Sequence, residues 1–184
     1  MNQAEYLAAE AKSETRHEYL QGEVFAMAGG TPEHGALAMA IGGALLSALR
    51  NRPCRVFNSD VRVRIRETDL TTYPDVSVVC GHLQRDDEDS NAIVNPVLIV
   101  EVLSDSTEAY DRGEKAAHYR RLPSLQEYVL MSQHSPRIEV FRRNQAGHWE
   151  LFEATAGQQI ELASVGCTLV VDELYRDPLS ADPS

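Results

Sequence analysis

The spacing of apolar residues near the start of the chain predicts a helix followed by a hairpin. Residues 3–12 have the alanine, glutamate and leucine content of a helix. Residues 17–20 and 23–27 flank Gln21-Gly22, a turn between two runs that are typical of hairpin strands. Glu23, the first residue after this turn, is either an ordinary hairpin residue or an accessory acid of a functional site.

A longer helix is predicted from Thr31 to about Arg50. Thr31 is a good N-cap, Pro32 suits the first helical position, and Glu33 favours the positive end of the helix dipole. Apolar residues then recur at four-residue steps and predict one buried face, formed by Leu37, Ile41, Leu45 and Leu49.

The centre of the chain is predicted to be rich in strands. Residues 55–65 alternate apolar and polar side chains, which indicates a half-exposed strand, and residues 73–80 form a second one. Asp60 in the first of these either points outward or lines a cleft. The acidic run 86–89 is typical of a solvated loop. Residues 97–103 are almost all apolar, the pattern of a strand buried on both faces.

The last third of the chain alternates a helix with further strands. A helix over residues 111–122 would be capped by Asp111 and Glu114, and Pro123 ends it. The order of elements predicts one α/β domain over residues 1–176, a mixed sheet flanked by helices, with a loose tail at 177–184. The later strands, separated by turns, are predicted at 127–132, 137–143, 148–155 and 168–171.

Length and composition fit this picture. With 184 residues and 43% hydrophobic content, the chain suits a single domain with a sizeable core. No run is long and apolar enough to span a bilayer, and the start lacks the order of a secretory signal, so we expect a cytoplasmic protein. Three widely spaced cysteines, Cys54, Cys80 and Cys167, are therefore predicted to be reduced thiols.

The net charge of −11 argues against a nucleic-acid partner, because DNA binding normally needs a basic surface. Part of the acid is concentrated in 86–89, and bound cations would offset some of the charge at an active site. Arginines also gather locally, at 62, 64 and 66, at 120–121 and at 142–143. Composition alone still disfavours DNA.

Glu101 interrupts an apolar strand and is the most unusual residue of the sequence. A lone carboxylate buried there costs several kcal/mol, so it is expected to be paired, protonated or bound to a metal. Asp75 occupies a comparable place early on another strand, just after Pro74, which cannot donate to a sheet ladder. Two such carboxylates on neighbouring strands predict a site for Mg²⁺.

A positive side chain beside such a site would suit phosphodiester hydrolysis, since it can stabilise the transition state or orient the nucleophile. Lys115 is the candidate, because it lies on the predicted helix that follows the Glu101 strand and shares a face with Asp111 and Tyr119. Asp111 itself is either a plain N-cap or a site residue.

These motifs together resemble the Uma-type putative restriction endonucleases of the PD-(D/E)XK nuclease superfamily. The resemblance covers roughly residues 5–175, and the order and spacing of its motifs make it specific. The matching stretches are Tyr19-Leu20-Gln21-Gly22-Glu23, Pro32-Glu33-His34, Tyr73-Pro74-Asp75-Val76, residues 96–104 around Glu101, Asp111-Arg112-Gly113-Glu114-Lys115 and residues 123–129.

The resemblance implies a restriction-endonuclease-like core that acts on DNA with Mg²⁺, for which Mn²⁺ may substitute. By position, Asp75 and Glu101 would be the two metal-binding acids, and the carbonyl of Val102 a further ligand. The position two after Glu101 is Leu103 rather than lysine, and Lys115 would take over the missing role from the helix. Glu33 or His34 would correspond to an accessory residue at the start of the long helix.

We therefore expect a Mg²⁺-dependent DNA endonuclease, with a two-fold homodimer as the simplest way to cut both strands. Two alternatives stay open. A catalytically silent relative that serves as a binding or regulatory module would fit the acidic composition. A metal-dependent hydrolase of small phosphate esters would need no basic surface.

Overall fold

The computed structural model describes residues 1–27, 29–177 and 179, and its elements follow one another in mixed order. The helices are α1 (Gln3–Glu10), α2 (Pro32–Ala48), α3 (Glu108–Arg112), α4 (Glu114–Tyr119) and α5 (Val171–Leu174). The strands are β1 (His17–Leu20), β2 (Glu23–Ala26), β3 (Cys54–Asn58), β4 (Arg62–Ile65), β5 (Leu70–Thr72), β6 (Val76–Cys80), β7 (Ala92–Ile93), β8 (Leu98–Leu103), β9 (Glu127–Ser132), β10 (Arg137–Arg143), β11 (Trp149–Thr155), β12 (Gln159–Leu162) and β13 (Cys167–Val170).

A six-stranded mixed sheet, in the order β11-β10-β9-β8-β6-β3, forms the centre of the fold. Neighbouring strands of this sheet are antiparallel, except for β8 and β9, which run parallel. A second sheet has the order β2-β1-β5-β4-β7, and β12 pairs with β13 in a short ribbon. The predicted mixed sheet with flanking helices is thus confirmed.

Both faces of the central sheet are covered, as the apolar pattern of β8 predicts. Alternate residues of β8 enter different cores: Val100 packs with Ile41 and Leu45 of α2, whereas Ile99 packs with Tyr119 of α4. All six residues of β8 are buried, Glu101 among them. Glu101 therefore lies on a strand that is shielded from water on both faces of the sheet.

The long helix α2 forms as predicted. The Thr31 hydroxyl accepts a hydrogen bond from the His34 N–H at 3.2 Å, and Pro32 occupies the first turn. Leu37, Ile41, Leu45 and Leu49 are buried against the central sheet. The N-cap fixes where α2 begins and so fixes His34 at its first turn.

The predicted strand over residues 55–65 is wrong, because it is two strands in two different sheets. The break lies at Asn58, whose side-chain oxygen accepts from the Asp60 N–H at 3.1 Å, while its carbonyl accepts from the Val61 N–H. This is the turn that asparagine favours through its short side chain. β3 pairs with β6, and β4 leaves to pair with β5. The alternation of apolar and polar residues continues across this turn, so the sequence pattern does not reveal it.

The predicted helix over residues 111–122 is also wrong, because Gly113 divides it into α3 and α4. A Cβ at Gly113 would lie 3.0 Å from the Ala109 carbonyl oxygen, a tight contact that favours glycine. Asp111 is consequently not an N-cap. It lies in the last turn of α3 and is buried.

The acidic run is solvated only in part, because Asp87 and Glu88 are exposed whereas the other two acids are buried. Asp86 and Asp89 are each 5% exposed, and both are paired with arginines. Arg66 Nε lies 2.6 Å from Asp86, and Arg62 contacts both oxygens of Asp89 at 2.7 and 2.8 Å. These pairs compensate the desolvation of the acids, and they also occupy two arginines that were candidates for a basic surface.

The prediction of three reduced cysteines is wrong for two of them, since Cys54 and Cys80 form a disulfide. They stand directly opposite each other on β3 and β6, with 4.0 Å between their Cα atoms. The adjacent bond from Gly81 N to Pro53 O shows that the cysteines occupy a non-hydrogen-bonded pair, where antiparallel strands approach most closely. Sequence spacing alone does not reveal this register. Cys167 is a free, buried thiol.

Two smaller predictions have different outcomes. Of the predicted tail at 177–184, positions 178 and 180–184 lie outside the described residues, so its looseness stays a prediction. The strand β12 was not predicted, because its two buried residues, Ile160 and Leu162, alternate over too short a run. Across the described ranges, no helix has both the length and the apolar character to cross a membrane.

The disulfide generates a stability prediction. The bridge joins residues 26 positions apart, and closing a loop of that length should contribute roughly 3 kcal/mol to the free energy of unfolding. Reduction should therefore lower the urea midpoint, and Cys54→Ser/Cys80→Ser should be equally destabilised and insensitive to reductant. Thiol titration of the unfolded, unreduced chain should find only Cys167. Three titrating thiols, or an unchanged midpoint, would contradict the bridge.

Candidate metal centre and active site

The candidate site lies at the end of the central sheet where β6 begins and β8 ends. Val76 pairs with Val100 in the antiparallel register, so Asp75 and Glu101 come opposite each other one residue further on. The backbone N–H of Asp75 lies 3.4 Å from Glu101 Oε2. The two acids that the sequence singled out, 26 residues apart, are thus brought together.

Asp75 is held from two sides through one oxygen. Its Oδ2 accepts from the Val102 N–H at 2.7 Å and lies 3.2 Å from His34 Nε2. The Asp75 hydrogen bond raises the pKa of His34 against the lowering effect of burial. The backbone of Val102 adds to the rise in the His34 pKa. Since the Val102 N–H is donated to Asp75, the group that has this effect is the Val102 carbonyl, which therefore lies on the His34 side of the site.

Glu101 is 4% exposed and uses its other oxygen, Oε1, for two contacts. The Tyr119 hydroxyl donates to Oε1 at 2.6 Å, and Lys115 Nζ lies 2.9 Å from it. Burial raises the pKa of Glu101 to about 8, with Lys115 opposing and Asp75 and Asp111 adding to the rise. These contacts leave Oε2 on the Asp75 side of the site.

Lys115 on α4 is surrounded by three carboxylates. Besides Glu101, its Nζ lies 3.2 Å from Glu18 Oε1 and 3.6 Å from Asp111 Oδ1. Burial alone would lower the pKa of Lys115, but Glu101, Tyr119 and the two further acids raise it well above the ordinary value. Lys115 is therefore a buried, permanently charged ammonium fixed by its neighbours.

Glu18 is the site residue that the sequence reasoning missed. It lies on β1, where the hydroxyl of Thr72 also donates to it. Tyr19 contacts Tyr6 of α1, and because side chains alternate along a strand, Glu18 points to the opposite face. This alternation is the only feature of the sequence that could have indicated Glu18. Glu23 was considered instead, but it pairs with Leu20 at the turn end of the hairpin and is exposed.

A cleft of about 470 Å³ opens onto this cluster. Its lining includes Phe25 of β2, Gly29 and Gly30 beyond that strand, and residues 104–107 after β8. Of the other predicted accessory residues, His34 and Asp111 line the cleft, whereas Glu33 is exposed outside its lining. Asp60 pairs with Arg16 and lines a separate cavity of about 290 Å³.

Acidic groups outnumber basic groups around Lys115. The carboxyl groups of Glu18, Asp75, Glu101 and Asp111 lie around two basic groups, the ammonium of Lys115 and the imidazole of His34. The raised pKa of Glu101 means that a proton offsets part of this negative charge when no cation is bound. Burial raises the pKa of Asp111 as well, although Lys115 lowers it. A partly buried excess of negative charge is the environment that a divalent cation stabilises.

The donor atoms fit a hard cation. Within the described ranges, no three His, Cys, Asp or Glu side chains are arranged to enclose a metal. The site instead offers the carboxylates of Asp75 and Glu101 and the carbonyl of Val102. This is the oxygen-only, incomplete set that Mg²⁺ takes when water fills the remaining positions.

A mixed sheet flanked by helices, with paired acids at the ends of two neighbouring strands, defines a restriction-endonuclease-like fold. Residues 3–172 match the Uma2 family, described as putative restriction endonuclease, and the chain belongs to that family.

Known proteins of similar sequence and structure agree with this assignment. The chain is 39% identical over 172 residues to the uncharacterized protein slr1290 of Synechocystis sp., covering 94% of this chain and 90% of the relative. It is 35% identical over 150 residues to sll1609 of the same organism, covering 82% and 85%. A crystal structure of a putative nuclease belonging to DUF820 from Anabaena variabilis matches with a TM-score of 0.76 at 18% identity, covering 95% of this chain and 98% of that one. At that identity the structural likeness shows the fold.

The carboxylates around Lys115 generate a second prediction, for which the chain's only other lysine, Lys12, is a matched control. Lys115→Met should lower the free energy of unfolding by about 3–5 kcal/mol without divalent metal, because it leaves buried acids unpaired. The loss should grow from pH 5 to pH 8, since acids with raised pKa values are protonated at low pH and must be buried as charges at high pH.

Lys12→Met, at an exposed position, should be nearly neutral at both pH values. Chemical denaturation of both variants, followed by circular dichroism, measures the difference. Equal small effects of the two substitutions would mean that Lys115 is not balancing the acids.

Proposed function

We propose that the protein is a Mg²⁺-dependent nuclease that hydrolyses DNA phosphodiester bonds, with Mn²⁺ able to replace Mg²⁺. The observation that carries the proposal is the convergence of Asp75, Glu101 and the backbone of Val102 beside the buried ammonium of Lys115. Membership of a family described as putative restriction endonuclease supports it, as does the fold shared with a structure described as a putative nuclease.

Asp75 and Glu101, with the Val102 carbonyl, would hold the cation. When bound, the cation lowers the pKa of a coordinated water and offsets the charge that develops on the phosphate. His34 fixes the orientation of Asp75 by contacting its Oδ2, and Tyr119 fixes Glu101 by donating to its Oε1. Second contacts of this kind hold metal ligands in place before the metal arrives.

Lys115 would supply the fixed positive charge of the reaction. Its ammonium is oriented by Glu101, Glu18 and Asp111 and does not need to reorganise as charge develops. A preorganised donor in a partly dry cleft can orient the attacking water or stabilise a phosphoryl oxygen. In this fold α4 brings to the site the lysine that Leu103 cannot provide.

A second candidate function, hydrolysis of a small phosphate ester, is favoured by the charge of the cleft. Among the cleft-lining residues that the structure describes, His34 and Lys115 are the only basic ones, and both are paired with acids. Nearby arginines are also engaged, as for Arg62 with Asp89. A small ester would need no basic surface, whereas DNA would depend on the bound cation for charge compensation.

Metal binding is the third prediction. Mg²⁺ or Mn²⁺ at a hundredfold excess over its dissociation constant should stabilise the protein by about 2.7 kcal/mol, which raises Tm by roughly 5–10 °C. Asp75→Asn and Glu101→Gln should abolish the shift. Glu101→Gln should destabilise the metal-free protein less than Lys115→Met does, because Lys115 keeps Glu18 and Asp111 as partners.

Asp60→Asn is the control, since it neutralises an acid outside the cleft and should keep the full shift. Differential scanning fluorimetry and calorimetric titration measure both effects. A shift that survives in Asp75→Asn and Glu101→Gln would place the cation elsewhere.

Catalysis is the fourth prediction. With Mg²⁺ or Mn²⁺ the protein should nick or cut plasmid DNA, and Asp75→Asn, Glu101→Gln and Lys115→Met should each slow this at least about a hundredfold. Glu33→Gln, outside the cleft, should leave the rate unchanged. Gel electrophoresis of plasmid and release of nitrophenol from nitrophenyl phosphate esters measure the two candidate reactions.

Turnover of the small esters with intact plasmid would favour the second candidate function. A folded, metal-binding protein that cleaves neither substrate would instead be a catalytically silent module of this fold.

A further inference from the structure

The exposed face of α2 is as apolar as its buried face. Residues 35–49 contain no charged side chain, although the chain as a whole carries a net charge of −11. Met39 is 74% exposed and Leu46 is 59% exposed. A surface helix normally presents polar residues to water, and a helix that is apolar all round is normally covered on both sides. Among the residues that the structure describes, only one side of α2 is covered.

Gly43, at the middle of this face, points to close contact with another backbone. No atom of the described chain lies within 4 Å of a Cβ added there, and Gly43 does not have a positive φ. No residue in the described part of the chain therefore excludes alanine, which would stabilise a helix interior. Glycine at an exposed helical position is useful where a second backbone approaches closely.

We propose that this face, made of Ala36, Met39, Gly43, Leu46, Ser47 and Arg50, pairs with the same face of a second copy of the chain. The two α2 helices would run antiparallel around a two-fold axis close to Gly43. Such an axis places Met39 of one copy against Leu46 of the other, because the two residues lie four before and three after Gly43. A two-fold interface must be self-complementary in this way.

Charge complementarity also favours a second copy. Glu33 is exposed at the beginning of α2 and Arg50 is exposed just beyond its end. Antiparallel pairing brings the acidic end of each helix towards the basic end of the other and opposes the helix dipoles favourably. Elsewhere the net negative charge of two copies is repulsive, so an uncharged face is where they can meet.

The pairing would relate the two clefts. Because His34 lies in the first turn of α2 and lines the cleft, the axis near Gly43 puts the two clefts about 25 Å apart along the helix direction. If the proposed nuclease function holds, this arrangement offers one site to each DNA strand. The pairing itself does not rest on that function, and its test measures association alone.

Sedimentation equilibrium over a wide concentration range tests the pairing. The wild-type chain should show a reversible monomer–dimer equilibrium. Leu46→Lys should raise the dimer dissociation constant at least about thirtyfold, by burying an unpaired charge at the centre of the contact. Ala48→Lys adds the same charge at an exposed position on the other side of α2 and should leave the constant nearly unchanged.

Gly43→Ala separates pairing from folding, because the two effects have opposite signs. In dilute solution it should increase the folding equilibrium constant about three- to fivefold through helix propensity. In the same protein the dimer should dissociate more readily, since the added methyl separates the helices. Gly43→Cys should also form a disulfide-linked dimer on oxidation, and Ala48→Cys should not.

A chain that stays monomeric at every concentration would overturn the proposal. So would a dimer that Leu46→Lys and Gly43→Ala leave intact, because another surface would then mediate it. Binding of the monomer to lipid vesicles through Met39 and Leu46 would also overturn it and assign the face to a membrane surface.

Discussion

The ion pair between Lys115 and Glu101 is the contact on which the site depends. Glu101 lies in a strand covered on both faces, where a lone charge would not be tolerated. Lys115 compensates it, yet Lys115 is itself shared with Glu18 and Asp111. The cluster therefore holds four acidic groups against two basic ones, and the raised pKa of Glu101 shows that burial disfavours its full ionisation. Stability alone would favour apolar residues here, and the proposed cation would account for the retained acids.

Each layer of the fold contributes one part of this cluster. The antiparallel register of β6 and β8 aligns Asp75 with Glu101 at one end of the sheet. The helix α2 reaches the site from one face with His34, and α4 reaches it from the other with Lys115. The second sheet adds Glu18. Because no single element holds more than part of the site, the chemistry becomes possible only when the sheet order is complete.

The sequence was most informative where a residue contradicted its surroundings. Glu101 in an apolar strand and Asp75 after Pro74 could be recognised without a structure, and Lys115 followed from helical spacing. The failures have one cause, which is that local patterns do not record pairing partners. Alternation concealed the turn at Asn58, helical spacing concealed the break at Gly113, and nothing local shows that Cys54 faces Cys80 or that Glu18 faces Lys115. Asp86 and Asp89 seemed solvated only because their arginines are distant in sequence.

The two sides of helix α2 have different roles, and separate residues of its sequence serve each of them. Its buried side follows the four-residue spacing of Leu37, Ile41 and Leu45 and positions His34 against Asp75. Its other side does not pack against the core or position His34, so polar residues would be expected there. Met39 and Leu46 are nevertheless exposed on that side, around Gly43. Neither the core nor the cleft explains this choice. The proposed contact with a second copy would explain it, and such a contact at α2 would be transmitted to the cleft through the same helix that holds His34.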